Sequence, residues 1–178
     1  YVLKGLIPAQ ETLRASETIN PPFELSYWHY GMTVAQEWRE RNGQERDAKW
    51  DELIDKLSPL AYNADGLYLA SEDAVDTYMD IRFTSDHPAV LGALGMMPQC
   101  KLVRPDYMQN TLDWIWDNWN WGKTWGWDYP MTAMSAARLG DAEKAMMCAG
   151  WDGNEENNPG FPKDGTWDVR WEGLSPMP

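Results

Sequence analysis

Three carboxylates stand where proton-transfer chemistry could be built. Glu11 closes the loop run Pro8-Ala-Gln-Glu11, with Glu17 close behind it. Glu24 follows Pro21-Pro22 at the start of a helical pattern. Asp128 ends a stretch, Trp114 to Trp127, that holds six of the chain's twelve tryptophans. Cleaving a glycosidic bond requires two carboxyl groups flanking the scissile bond, one as acid and one as base or nucleophile. Aromatic surroundings favour the protonated acid, and indole faces cover the apolar side of a pyranose. Each residue also has a plain structural use. Asp128 before Tyr129-Pro130 reads as a helix N-cap, Glu24 complements a helix dipole, and the tryptophans can simply fill a core.

Other chemistries find less support. The two histidines, His29 and His87, show no third partner for a triad, and His87 is expected to serve at the start of a short helix. Cys100 and Cys148 have neither zinc-ligand nor disulfide-framework spacing, so no metal and no cofactor are expected. Cys148 lies in an apolar run and reads as a buried thiol. A net charge of −13 argues against nucleic acid as a partner. No stretch approaches the roughly 20 apolar residues of a membrane span. The chain opens on Tyr1 with neither methionine nor signal peptide, so its start reads as cut.

The elements that must hold these residues are helices. Asn20-Pro21-Pro22 predicts a helix start with Asn20 as the cap, followed by an apolar face of Phe23, Tyr27, Tyr30, Val34 and Trp38 up to Asn42-Gly43. A second helix spans about Asp47 to Leu57. Gly66 to Leu69 reads as a short extended piece. A third, short helix starts at Asp86-His87-Pro88. A fourth starts at Arg104-Pro105 and carries Trp114, Trp116 and Trp119, with Trp116 and Trp119 in the core. A fifth runs from Asp128 to Leu139-Gly140. Trp121, Trp125 and Trp127 fall on the loop before it and are the tryptophans expected to line a cleft. Trp167, Val169 and Trp171 alternate with polar residues, predicting a strand or extended strap in the tail. The class is all-α, with residues 1–151 as the helical unit and 152–178 as a tail packed on it. Gly140 to Ala145 reads as a helix start and Met146 to Trp151 as a helix end, which predicts missing residues between 145 and 146.

The runs Gly5-Leu-Ile-Pro-Ala-Gln-Glu11, Asn20-Pro-Pro-Phe-Glu-Leu-Ser-Tyr-Trp28 and Trp125-Gly-Trp-Asp-Tyr-Pro-Met-Thr-Ala-Met-Ser-Ala-Ala-Arg-Leu-Gly140 resemble the six-hairpin glycosidases. More narrowly, they are similar to bacterial relatives of glycoside hydrolase family 65. The resemblance implies helical hairpins of an (α/α)6 toroid, here its C-terminal half, and cleavage by inversion. In that group the general acid is a glutamate in a Gly-Pro-Asp-Glu-like loop, with an asparagine opening the next helix. Pro8-Ala-Gln-Glu11 and Asn20 match that arrangement, which implies Glu11 as the acid, and Asp128 is implied as the base. The Gly-Pro-Asp-Glu run is half kept, and a serine-rich phosphate loop is absent, which favours water as acceptor.

The expectation is therefore an inverting glycoside hydrolase acting on an oligosaccharide or glycoside. Trp121, Trp125, Trp127, Trp28, His29, Glu17 and His87 are assigned to sugar contacts. A periplasmic or extracellular setting is favoured, and the rest of the toroid or a second copy would cover exposed helix faces. Two alternatives remain open: a non-catalytic carbohydrate-binding helical domain, and an epimerase or lyase using histidine as its acid–base group.

Overall fold

The computed structural model describes residues 1–149 except Ile7, Gly122, Lys123 and Trp125. The expected tail strand lies outside the described residues. Within them the chain is predominantly helical: α1 (Pro22–Arg41), α2 (Ala48–Asp55), α3 (Gly92–Gly95), α4 (Pro105–Asn118), α5 (Asp128–Leu139) and α6 (Ala142–Cys148). Short 3-10 turns cover Ala15–Glu17 and Ala89–Leu91. β-Pairing among the described residues is confined to two isolated antiparallel bridges, Lys4 to Ile19 and Tyr62 to Tyr68. Of the extended piece expected at Gly66 to Leu69, Tyr68 takes part in the second bridge, whereas Gly66 forms a bend at φ 73°.

The start of α2 follows its sequence signal, whereas that of α1 departs from it. Asp47 caps α2 by accepting from the amides of Lys49 and Trp50. Asn20, expected to cap α1, does not: the N-cap is Pro21, and Asn20 sits at a positive φ of 51°. Asparagine tolerates the left-handed region better than most residues. Its carboxamide is used across the fold instead. Oδ1 accepts from the Leu3 amide at 2.8 Å and Nδ2 donates to Glu72 Oε2 at 2.5 Å, so Asn20 ties the first residues to the loop beyond Leu69.

Helix α1 also buries a different face from the one expected. Leu25, Ser26 and Gln36 are buried, whereas Tyr27, Tyr30 and Trp38 are exposed. The aromatic spacing is helical, but the inward stripe is set by Leu25 against α3 and by Gln36, whose side chain bonds both N–H and C=O of Asp47. A polar side chain that satisfies a buried backbone pair is as good an anchor as an apolar one.

The core gathers Leu25, Leu91, Leu94, Met108, Leu112, Ile115, Tyr129 and Ala136. Helix α5 packs against α3, α4 and α6. Its turn into α6 is made by Gly140 at φ 84°, with Gly140 and Asp141 amides donating to Ala137 and Ala136 carbonyls. Ala145 and Met146 are consecutive residues of α6, and the Ala149 amide donates to the Ala145 carbonyl across the junction where missing residues are expected. Cys148 is buried, and burial pushes its thiol up to about 12. Arg138 Nη1 of α5 reaches the carbonyls of Leu94, Gly95 and Met97 at the end of α3, closing off acceptors that the short helix leaves open.

The Pro8–Thr12 loop is fastened at three points. The Ala9 amide donates to Glu24 Oε1 at 2.6 Å, Gln10 Nε2 donates to the Phe83 carbonyl at 3.0 Å, and the Thr12 amide donates to Asp86 Oδ2 at 2.8 Å. Glu24 is thus a clamp on the loop that carries Glu11. Burial raises its pKa above the ordinary glutamate value, opposed by the Ala9 amide.

Two stability predictions follow from this packing. A Cβ at Gly95 would lie 2.5 Å from the Met131 carbonyl oxygen of α5, whereas one at Gly31 meets nothing within 4 Å. Gly95→Ala should therefore cost about 1–3 kcal/mol by overpacking, and Gly31→Ala should gain roughly 0.5–1 kcal/mol; thermal unfolding of the two variants should move Tm in opposite directions. Glu24 titrates higher folded than unfolded, so its contribution is fully present below the unfolded pKa of about 4.3 and is lost as pH rises through the folded pKa. Glu24→Gln keeps an acceptor for Ala9 and never ionises. Its stability relative to wild type should rise from acid to neutral pH in denaturant titrations, and a fall over that range would contradict the burial argument.

Candidate active site

The segment Phe83–His87 is the strip on which the site is assembled. On one side it holds the Pro8–Thr12 loop through the Phe83 carbonyl and the Asp86 carboxylate. On the other it receives the end of α4: the Trp119 indole N–H donates to the Asp86 carbonyl at 2.8 Å, and the Asn120 amide to the Thr84 carbonyl at 2.9 Å. Trp119 is therefore core, as expected, and it also fixes the peptide that leads into His87.

His87 is buried at 3% exposure, and Asp128 at 0%. Both carboxylate oxygens of Asp128 lie 3.0 Å from His87 Nδ1. Asp128 is the first residue of α5, whose N-cap position is Trp127, so the carboxylate faces an imidazole and is not the expected N-cap acceptor. On the other side of the ring, Asp86 Oδ1 is 3.7 Å from His87 Nε2. Glu11 closes the group: one ligand atom each from Glu11, Asp86 and His87 all lie within 4.8 Å of one another. Burial lowers the His87 pKa, but the hydrogen bond to Asp128 and the charges of Asp128, Asp86 and Glu11 outweigh it and raise it overall. The Trp127 ring lies 4.3 Å from the imidazole, tilted by 34°.

Two carboxylates that are distant in sequence, Glu11 and Asp128, thus meet on one imidazole. Glu11 is exposed and can reach a bound ligand. Asp128 is sealed from solvent and lies against Nδ1 of the equally buried His87. An Asp–His pair of this kind orients the imidazole and stabilises the cation formed when the ring takes a proton.

The remaining expected contacts divide. Trp127 belongs to the cluster. Trp121, expected to line a cleft, is buried, stacks on Tyr129 at 5.6 Å between centroids, and belongs to the core. Trp125 lies outside the described residues. Trp28 is exposed on α1, and His29 beside it is half-buried, its pKa lowered by burial and by Lys101. Glu17 lines a separate depression with Arg14, Asp73, Asp76 and Arg82.

Asp86 is the residue that the sequence pattern does not single out as a site residue. The Asp-His-Pro run does mark it as a helix start, but no helix uses it, since the turn at Ala89–Leu91 has Pro88 as its N-cap. A carboxylate at a helix start whose side chain is not required there was the available signal. No protein-family model matches this chain, and no curated protein or solved structure matches it significantly.

Proposed function

We propose that this chain belongs to a glycoside hydrolase that cleaves its substrate by inversion. Glu11 protonates the leaving oxygen, and His87, held by Asp128, takes the proton of the attacking water. The observation that supports this reading most directly is the buried His87 imidazole, with Asp128 on Nδ1 and Glu11 and Asp86 on its other side. Glu11 supplies an exposed carboxyl on a fastened loop, where a positioned acid contributes about 10²–10⁴-fold. Asp128 and Asp86 offset the charge that appears on the ring as water is deprotonated. Trp127 offers a flat apolar face beside the reacting groups, suited to the C–H side of a sugar. In this reading the helices are hairpins of an (α/α)6 toroid, with α5–α6 as one such pair, and the ligand is a neutral oligosaccharide or glycoside.

A second reading draws on the same imidazole. A buried His–Asp pair next to an exposed carboxylate is also fit to remove a proton from carbon, as an epimerase or lyase acting on a sugar would require. Solvent deuterium separates the two: hydrolysis leaves every sugar C–H unlabelled, whereas proton abstraction from carbon exchanges one of them.

The decisive experiment uses aryl glycosides of both anomers with leaving groups of graded acidity. Glu11→Gln should lower kcat by about 10²–10⁴-fold on poor leaving groups and far less on activated ones, because only the former need protonation. Asp128→Asn should lower kcat with KM nearly unchanged, and the first-formed sugar should carry the inverted anomeric configuration by NMR. Equal losses for Glu11→Gln on all leaving groups would remove it as the acid.

A further inference from the structure

The side of His87 turned away from Asp128 collects electron-rich atoms. Asp86 Oδ1 stands 3.7 Å from Nε2, longer than a hydrogen bond, and one ligand atom each of Glu11, Asp86 and His87 lie within 4.8 Å of one another. Asp86 and His87 are buried and Glu11 is exposed, so two of the three are rigid and the third can move inward. Asp86 is further held by the Thr12 amide on Oδ2, which leaves Oδ1 directed at the histidine side.

The geometry points to a binding site for a zinc-class divalent cation on Glu11, Asp86 and His87. One nitrogen and two carboxylate oxygens form a borderline ligand set that suits zinc or cobalt better than magnesium or calcium, which prefer oxygen alone. Ligands at 2.0–2.2 Å from a tetrahedral ion stand about 3.3 Å apart, so the Asp86–His87 edge is already nearly at that spacing. Asp128 on Nδ1 supplies the outer carboxylate that fixes the tautomer and orientation of a metal-ligating histidine. The fourth position opens on the exposed Glu11 side. The sequence shows no metal spacing because the ligands come from two segments 75 residues apart, Glu11 and Asp86, that meet only through the clamped loop.

Binding of the ion stands without the hydrolase reading. Where that reading does enter is the consequence: a cation on Glu11 removes the acid and on Nε2 removes the base, so zinc would switch hydrolysis off. The test is a Co²⁺ titration of the full chain followed by visible d–d absorption, which needs no turnover. One equivalent should give the bands of a four-coordinate ion, displaced by Zn²⁺ but not by equal Mg²⁺. Asp128→Asn should weaken binding about 10–100-fold, and His87→Ala should abolish it. Glu11→Ala, at an exposed position where folding is not at stake, should also weaken binding at least tenfold and decides the matter if His87→Ala fails to fold. Absence of the bands, displacement by Mg²⁺, or unchanged affinity in Glu11→Ala would overturn the site. Absence of hydrolysis in the metal-free chain, with Co²⁺ binding retained, would sink only the proposed function.

Discussion

A carboxylate with no solvent exposure must be matched by positive charge or strong donors, because its desolvation is otherwise prohibitive. Asp128 meets that demand through His87, and the bond between them constrains both ends of the site. It pins the first turn of α5 to the segment leading into the Ala89–Leu91 turn, so the entry of one helix and the entry of another are fixed relative to each other. Removing one partner of a buried pair leaves an uncompensated charge and costs about 3–5 kcal/mol. The pair is thus a structural joint before it is a chemical one, and chemistry is available at it because the ring's second nitrogen faces other carboxylates.

The joint would be of little use if its neighbours could drift. The Phe83–His87 strip prevents this by acting as a common backbone for two loops. Gln10 and the Thr12 amide bind it from one side, and Trp119 and Asn120 from the other. Glu24 adds a third hold on the loop from α1. Glu11 is therefore an exposed side chain on a backbone whose preceding and following residues are both tied down. That combination suits a reacting group, which needs access to a ligand together with a fixed origin.

Helix existence was legible wherever a local signal decided it. Pro105, Asp47 and Gly140 mark ends that backbone geometry dictates, and the observed boundaries lie within two residues of expectation. Burial was less legible. The stripe Phe23, Tyr27, Tyr30, Val34 and Trp38 has the right period, yet α1 turns Leu25 and Gln36 inward because the Asp47 peptide offers Gln36 both hydrogen bonds. In the site, Glu11 and Asp128 stand out in the sequence as carboxylates in suggestive company, whereas His87 reads there only as a helix-start residue and a sugar contact, with no partner in view. Its partner is 41 residues away, and nothing in local spacing encodes that contact. Asp86 was read as a helix start for the same reason: an Asp-His-Pro run looks like capping chemistry until the fold supplies the Thr12 amide.

The tryptophans between Trp114 and Trp127 divide by what each described indole is bonded to. Trp119 and Trp121 give their N–H groups to the carbonyls of Asp86 and Trp116, and both rings are buried. Their nitrogen is spent on holding backbone, which is how a large aromatic side chain avoids burying an unsatisfied donor. Trp127 differs in position: it is half-buried and lies against the imidazole. A ring there shields the His87–Asp128 bond from water on one face, and a lower local dielectric strengthens that bond along with every charge that acts on the imidazole. One indole therefore covers the joint, while its neighbours in sequence hold the frame that keeps it there.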